Sequence, residues 1–443
     1  MKRSIEILCT VLLFFATYWA YSGQERISLN QGHGWDGEHY YQAALQVSEG
    51  QSPIVAQTPF VNRIGLCYAV GTYARIFNKS ILTSAFHINA LAILLTTILL
   101  HLWLWPVVTK AGLRLLFILL YLLVWHSGIR NLFFDSIVPD PWGAFFFLSG
   151  LLLMRTIKRK HQEGKSLYLE LSALSLVVFV GLLFRESNAV IALALPFIIK
   201  PFSRSKDLLI SAKNGSLKQW KEALISIIRE LFSRHNRKLL LPLLAILAAK
   251  VFSLPLLSTI NHTGYSYPQA LVTNFYNKSL PEFLLGCCLA YGPLWLLLPF
   301  YWRSIKTFLS DKEELTIVLF FGVFFGYFGG GDTERILFMS TFPLVFIFLS
   351  FAVEELWKKK KSLIVLLLVL QSLAYRLFWH LPDFPNDYTQ KPLPLFAMLG
   401  EHFPHLYLYS SYGNIYLNTL LLIEYALLFL VLFFWQQKLA LKR

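Results

Sequence analysis

Stretches of about 20 apolar residues recur from one end of this chain to the other, and each matches the hydrocarbon thickness of a bilayer. That feature leaves few folds open. Inside a bilayer core every backbone N–H and C=O must be satisfied internally, so only helices and closed barrels can span it. The runs are continuously apolar rather than alternating, which excludes a barrel. Composition agrees, since 56% of the 443 residues are hydrophobic and only 15% are charged, against about 25% in an ordinary soluble domain.

The expected fold is an all-α polytopic membrane protein with about twelve transmembrane helices. The spans are placed at residues 5–22, 82–108, 113–127, 140–155, 168–184, 188–200, 239–258, 283–302, 315–329, 336–356, 362–380 and 416–435. The first, preceded by Lys2 and Arg3, reads as a retained signal anchor. An even number of crossings puts both termini on one side. Most of the 40 Lys and Arg residues fall on that same side, in segments 2–3, 110–114, 155–165, 200–238, 303–312, 358–361 and 438–443. This asymmetry marks the side as cytoplasmic. A formal charge of +15 would suggest nucleic acid in a soluble protein; here the inner loops hold the excess and no nucleic-acid partner is expected. The basic loop 200–238 contains an amphipathic run at 217–232, which fits a surface helix on anionic headgroups. Cys9, Cys67, Cys287 and Cys288 show no metal-ligand or redox spacing and imply no disulfide framework. The chain reads as a single transmembrane domain. Its long first outer loop (23–80) and last outer loop (381–415) complete the layout.

The outer loops concentrate the chemistry. The first carries Gly34-Trp35-Asp36-Gly37-Glu38-His39-Tyr40-Tyr41 and Thr58-Pro59-Phe60-Val61-Asn62-Arg63, with interfacial helices expected at 38–47 and 59–77. Later loops hold Arg130 and Asp135, then Pro139-Asp140-Pro141-Trp142, Phe184-Arg185-Glu186-Ser187-Asn188 and Gly329-Gly330-Gly331-Asp332-Thr333-Glu334-Arg335. Ionisable groups at membrane depth pair with one another or serve function. An acid such as Asp36 can deprotonate an attacking hydroxyl. Arg185 and Arg335 can each hold a phosphate bidentately.

Each residue also has a plainer reading. Asp36 suits a helix N-terminus. Glu38 and His39 point to different faces and suit a solvated surface. Tyr40 and Tyr41 suit interface anchoring, and Arg63 suits snorkelling to headgroups. Asp140 sits in a turn between two prolines, Arg185 and Glu186 form a neighbouring charge pair, and Asp332 and Arg335 flank a turn that caps a span. Lys250 and Glu424 fall within spans and should face a cavity or partner. His380, His402 and His405 with Asp383, Asp387 and Glu401 fit no metal-site spacing, and no metal site is assigned.

The W-D-G-x-x-Y-Y element in a long outer loop after the first helix resembles the GT-C superfamily of integral-membrane glycosyltransferases. The likeness extends to P-F-V-N-R-I, P-D-P-W, F-R-E-S-N-A and G-G-D-T-E-R-I-L. It implies transfer of a sugar from a polyprenyl-phosphate donor to a glycan, lipid or protein acceptor on the non-cytoplasmic face. It implies Asp36 as general base, with Asp140 or Asp135 as a second acid. Arg185 and Arg335 would bind the carrier phosphate, and Glu38, His39, Tyr40, Arg63, Glu186 and Asp332 would line the substrate site. No cofactor is required, and a divalent metal stays open as an addition. Gly37 separates Asp36 from Glu38, so the adjacent Asp-Glu pair of the protein O-mannosyltransferases is missing, as is a C-terminal soluble domain of the oligosaccharyltransferase kind. A transporter or flippase is the main alternative, and a lipid-linked-glycan polymerase or ligase the next. Asn78, Asn261 and Asn277 carry sequons on the outer side, but a bacterial inner membrane with both termini cytoplasmic is the expected address.

Overall fold

The computed structural model describes residues 3–57, 60–124, 128–198, 237–260, 278–309, 313–328, 333–375 and 415–440, with a few isolated positions besides. The described chain is mostly helical, and helices fall on every expected apolar run. They are α1 (Arg3–Ala20), α4 (Ile81–Leu104), α5 (Ala111–Leu123), α7 (Asp140–Gln162), α8 (Tyr168–Phe184), α9 (Ala189–Ile198) and α10 (Leu241–Ser253), then α11 (Leu280–Tyr291), α13 (Glu313–Phe328), α14 (Thr333–Lys359), α15 (Lys361–Ala374) and α16 (Ile415–Ala440). Among the described residues, three stretches are long and apolar enough to cross a membrane: Arg3–Ala20, Ile81–Leu104 and Arg237–Leu256. The amphipathic run 217–232 and most of the loops 200–238 and 381–415 lie outside the described residues.

One expected span is interrupted. The run 283–302 is not a continuous helix: α11 stops at Gly292, a 3-10 turn occupies Pro293–Leu297, and α12 (Trp302–Leu309) follows. Gly292 has φ +67, a conformation that only glycine adopts readily, and Pro293 cannot donate the next helical hydrogen bond. Gln371 of α15 satisfies the backbone on both sides of the break. Its Nε2 donates to the Tyr291 carbonyl at 2.9 Å and its Oε1 accepts from Leu294 N–H at 3.0 Å.

Buried polar links sort the helix ends. At one end Arg114, opening α5, donates to both carboxylate oxygens of Glu6 on α1, at 2.8 and 2.7 Å. Thr109 N–H donates to Glu354 near the end of α14 at 2.9 Å. At the other end the Arg130 guanidinium, on α6 (Ile129–Phe134), lies 5.2 Å from the Tyr21 ring and donates to the carbonyls of Leu123 and Tyr375. The first end is the one whose loops carry the basic excess.

The segment between α1 and α4, expected as the first outer loop, folds into a subassembly with its own core. Helices α2 (Asp36–Ser48) and α3 (Ile64–Phe77) pack through Tyr40, Ala43, Ala44 and Val47 against Leu66, Cys67, Val70 and Ala74. Gly71 makes the approach possible, because a Cβ there would stand 2.4 Å from the Ala44 carbonyl oxygen. Two short strands, β1 (Ile54–Gln57) and β2 (Leu257–Ile260), pair in parallel with Ile54 opposite Leu257. They tie the loop to the segment after α10, a link absent from the sequence expectation. Gln46 of α2 brackets Val55 on the other edge of β1, donating to its carbonyl at 3.0 Å and accepting from its N–H at 2.7 Å.

Candidate active site

Asp36 opens α2 and is half-buried. Tyr40 stands one turn further on, and residues four apart share a helix face. The Tyr40 ring is 1% exposed, so it is a core residue of the site and not an interface anchor. Its hydroxyl accepts a 2.7 Å hydrogen bond from Nη1 of Arg63. Burial pushes that hydroxyl up to about 12; the charges of Arg63 and Arg185 pull it down and the Asp36 carboxylate pushes it up. Tyr40 is therefore neutral at physiological pH, and Asp36, Arg63 and Arg185 all lie within electrostatic reach of one buried oxygen.

Both arginines are held from behind. Nε of Arg63 donates to the two carboxylate oxygens of Glu186, each at 3.1 Å. Arg185 donates through Nη2 to the Asp140 carboxylate, in a pair whose side chains are 9% and 3% exposed. The neighbours Arg185 and Glu186 thus do not depend on each other for a charge partner, as the plainer reading had it. Each takes its charge partner from a different element. Asp140, expected as a second acid, is the buried counter-ion of Arg185, and Arg63 is packed within the protein rather than extended to headgroups. Two glycines permit this crowding. A Cβ on Gly143 would meet Arg185 Cγ at 2.7 Å, and one on Gly65 would meet the Phe184 ring at 2.8 Å.

The loop after α6 closes on the motif. Asn89 of α4 donates to the carbonyls of Ser136 at 2.7 Å and Val138 at 2.8 Å, and Ile27 N–H bonds the Phe134 carbonyl at 3.0 Å. That places the Asp135 carboxylate against the glycines on either side of Trp35-Asp36. Ideal Cβ atoms at Gly34 and Gly37 would lie 2.9 and 3.3 Å from its oxygens. Gly34 also has φ +70, and a Cβ on Gly37 would stand 2.8 Å from Ile137 Cγ2, so backbone conformation and close packing both call for glycine here.

Glu38 and His39 leave the helix on different faces, as expected. Glu38 pairs with His33 and accepts from Gln42 at 2.8 Å. Burial raises its pKa, but the hydrogen bonds from Gln42 and His33 outweigh this and hold it below the ordinary value. His39 stacks on Phe60 at 4.3 Å and His33 on Tyr41 at 3.6 Å. His33 was not singled out in the sequence; its partner Glu38 lies five residues on, past Gly34 at φ +70. Asn62 was missed too, and it accepts from Lys250 at 2.8 Å. Asp332 lies outside the described residues, as do His380, His402, His405, Asp383, Asp387 and Glu401; Arg335 falls on the first turn of α14 with its side chain outside them. Glu424 is half-buried on α16.

No family model matches the sequence, and no curated protein matches it. Solved structures match the architecture. The archaeal oligosaccharyltransferase AglB from Archaeoglobus fulgidus, in complex with an inhibitory peptide and a dolichol-phosphate, superposes with a TM-score of 0.51 at 13% identity. The chain is similar to that oligosaccharyltransferase in fold. The match covers 84% of this chain and 54% of that one. The apo form of the Archaeoglobus fulgidus oligosaccharyltransferase gives a TM-score of 0.46 at 13% identity, over 96% of this chain and 56% of that one. The chain spans about half the length of these structures.

Proposed function

We propose that this protein is an integral-membrane glycosyltransferase that moves a sugar from a polyprenyl-phosphate carrier to a glycan, lipid or protein acceptor. The observation that carries the reading is Arg63 bonded to the buried Tyr40 hydroxyl one helical turn after Asp36, with Arg185 within electrostatic reach, in a fold similar to the GT-C type. A base and two cations side by side suit attack on a phosphate-linked carbon. The acceptor oxygen bonds to the anomeric carbon, the bond from that carbon to the phosphate oxygen breaks, and the carrier phosphate leaves with the electron pair. Asp36 takes the proton of the acceptor hydroxyl. Arg63 and Arg185 face the charge that grows on the leaving phosphate, where preorganised donors contribute most. Asp140 and Glu186 position those arginines, and Asp135 backs the Asp36 turn. Asp332 and Arg335 stay in this reading as the expected substrate and carrier-phosphate contacts.

The layout proposed around this site is about twelve spans, both termini in the cytoplasm, the site on the opposite face, and a bacterial inner membrane as the address. No cofactor is assigned to the step, and chelation is expected to leave the rate unchanged.

The test is sugar transfer in membranes supplied with radiolabelled polyprenyl-phosphate sugars, comparing the native chain with Asp36→Asn. Transfer by the native protein, lost in a variant that still folds and binds carrier, is the expected result. Equal transfer by both removes Asp36 as base. Substrate flux across sealed vesicles, with no transfer from any donor, replaces the enzyme with the transporter.

A further inference from the structure

We propose that the outer end of α10 is a docking site for the polyprenyl-phosphate carrier, with Lys250 as the cationic contact for its phosphate. The proposal rests on the glycosyl-transfer reading. One face of α10 is internal: Ala245, Ala249 and Ser253 are buried and the helix packs against α8. The opposite face is open, with Leu244, Leu247, Val251 and Leu254 between 54% and 65% exposed. Lys250 lies three residues after Leu247 and four before Leu254, so it belongs to the same apolar stripe. Its side chain is exposed as well.

A cation on a lipid-facing stripe is costly unless it is drawn to the interface or paired. The apolar stretch ends at Leu256, so Lys250 stands about 9 Å below that end at 1.5 Å per residue. That depth lies within the acyl-chain layer, from which the long lysine stem reaches up toward the headgroup boundary. Its ammonium carries three donors, and among the described residues the one partner is Asn62 Oδ1 at 2.8 Å, on a half-buried side chain. A lipid phosphate supplies acceptors for the other two, while a long hydrocarbon chain covers Leu247 and Leu244 below. Continuity with the site selects the carrier over bulk phospholipid. Asn62 directly precedes Arg63, which donates to Tyr40 and Glu186 in the site. Lys250 is thus linked through Asn62 to the turn that carries Arg63.

The experiment measures binding to the full chain in neutral phosphatidylcholine nanodiscs, with polyprenyl phosphate, polyprenol, phosphatidylglycerol and inorganic phosphate as separate probes. Lys250→Met keeps length and helix propensity on a lipid-facing surface. It is expected to weaken polyprenyl-phosphate binding about fivefold, the size of one interfacial lysine on an anionic lipid. Lys250→Arg restores it, and polyprenol binding does not change. Asn62→Ala, which removes the protein partner of Lys250, should leave carrier binding within about twofold. Unchanged binding in Lys250→Met overturns the proposal, as does an equal loss in Asn62→Ala. Equal affinity for phosphatidylglycerol overturns it in favour of a general headgroup anchor, and equal affinity for inorganic phosphate overturns the lipid assignment. The two readings fail separately. Lysine-dependent carrier binding without sugar transfer ends the glycosyltransferase reading alone. Transfer with an unchanged carrier KM in Lys250→Met ends this one alone.

Discussion

Arg185 and Asp140 offer the sharpest test of how the site is built. Both side chains are almost wholly buried, and the Arg185 stem passes over Gly143, where a Cβ would stand 2.7 Å from Arg185 Cγ. Removing one charge of a buried pair strands the other, at a cost of about 3–5 kcal/mol. Asp140→Leu and Arg185→Met should each lose stability on that scale in denaturant unfolding from detergent micelles. The double variant exchanges the pair for apolar volume, which is near neutral in other buried pairs. It should therefore be more stable than either single variant, with a coupling energy of about 6–10 kcal/mol in the double-mutant cycle. Function separates from stability at that point. If Arg185 meets the leaving phosphate, the well-folded double variant transfers sugar about 10²–10³-fold more slowly, the cost of losing one preorganised donor. Single variants within about 0.5 kcal/mol of native, or losses that simply add, refute the buried unit. Native transfer rates in the double variant refute the phosphate role of Arg185.

Two further outcomes follow from packing and charge around the same helix. Gly71→Ala drives a Cβ to 2.4 Å from the Ala44 carbonyl oxygen and 2.7 Å from Val47 Cβ. Backbone cannot step aside by changing rotamer, so α2 must move, and unfolding should show a loss of about 1–3 kcal/mol; an unchanged midpoint would mean the two helices do not pack this closely. Glu38 has a folded-state pKa below its ordinary 4.5. It therefore stabilises the fold above the unfolded value, and that contribution fades as pH falls through the folded one. Stability measured between about pH 6 and pH 3 should decline less steeply in Glu38→Gln, and an identical slope would remove the His33–Glu38–Gln42 link from the folded protein.

How far the sequence could be read depends on which interactions are local. Helix positions were legible because an apolar run of bilayer length has one way to satisfy its backbone. Where that reading slipped, at Gly292-Pro293, the punctuating dipeptide was visible, but the apolar character of the run outweighed it. What held the break was Gln371, far along the chain on α15. The same contrast runs through the site. Asp36 and Tyr40 are one turn apart, so a sequence places them on one face once the helix is known. Arg63 and Glu186 are separated by 123 positions, and Arg185 and Asp140 by 45. Charge rarity at membrane depth picked out all four residues, yet gave no means of matching them, and adjacency favoured the wrong match between Arg185 and Glu186. The partners are set by how closely α3, α7 and α8 approach, which depends on glycines at 65 and 143 that leave room for Phe184 and Arg185. Such glycines carry no chemical signal of their own. A search for the site from sequence therefore gains more from asking which glycines sit one turn from a charged residue than from seeking further acids.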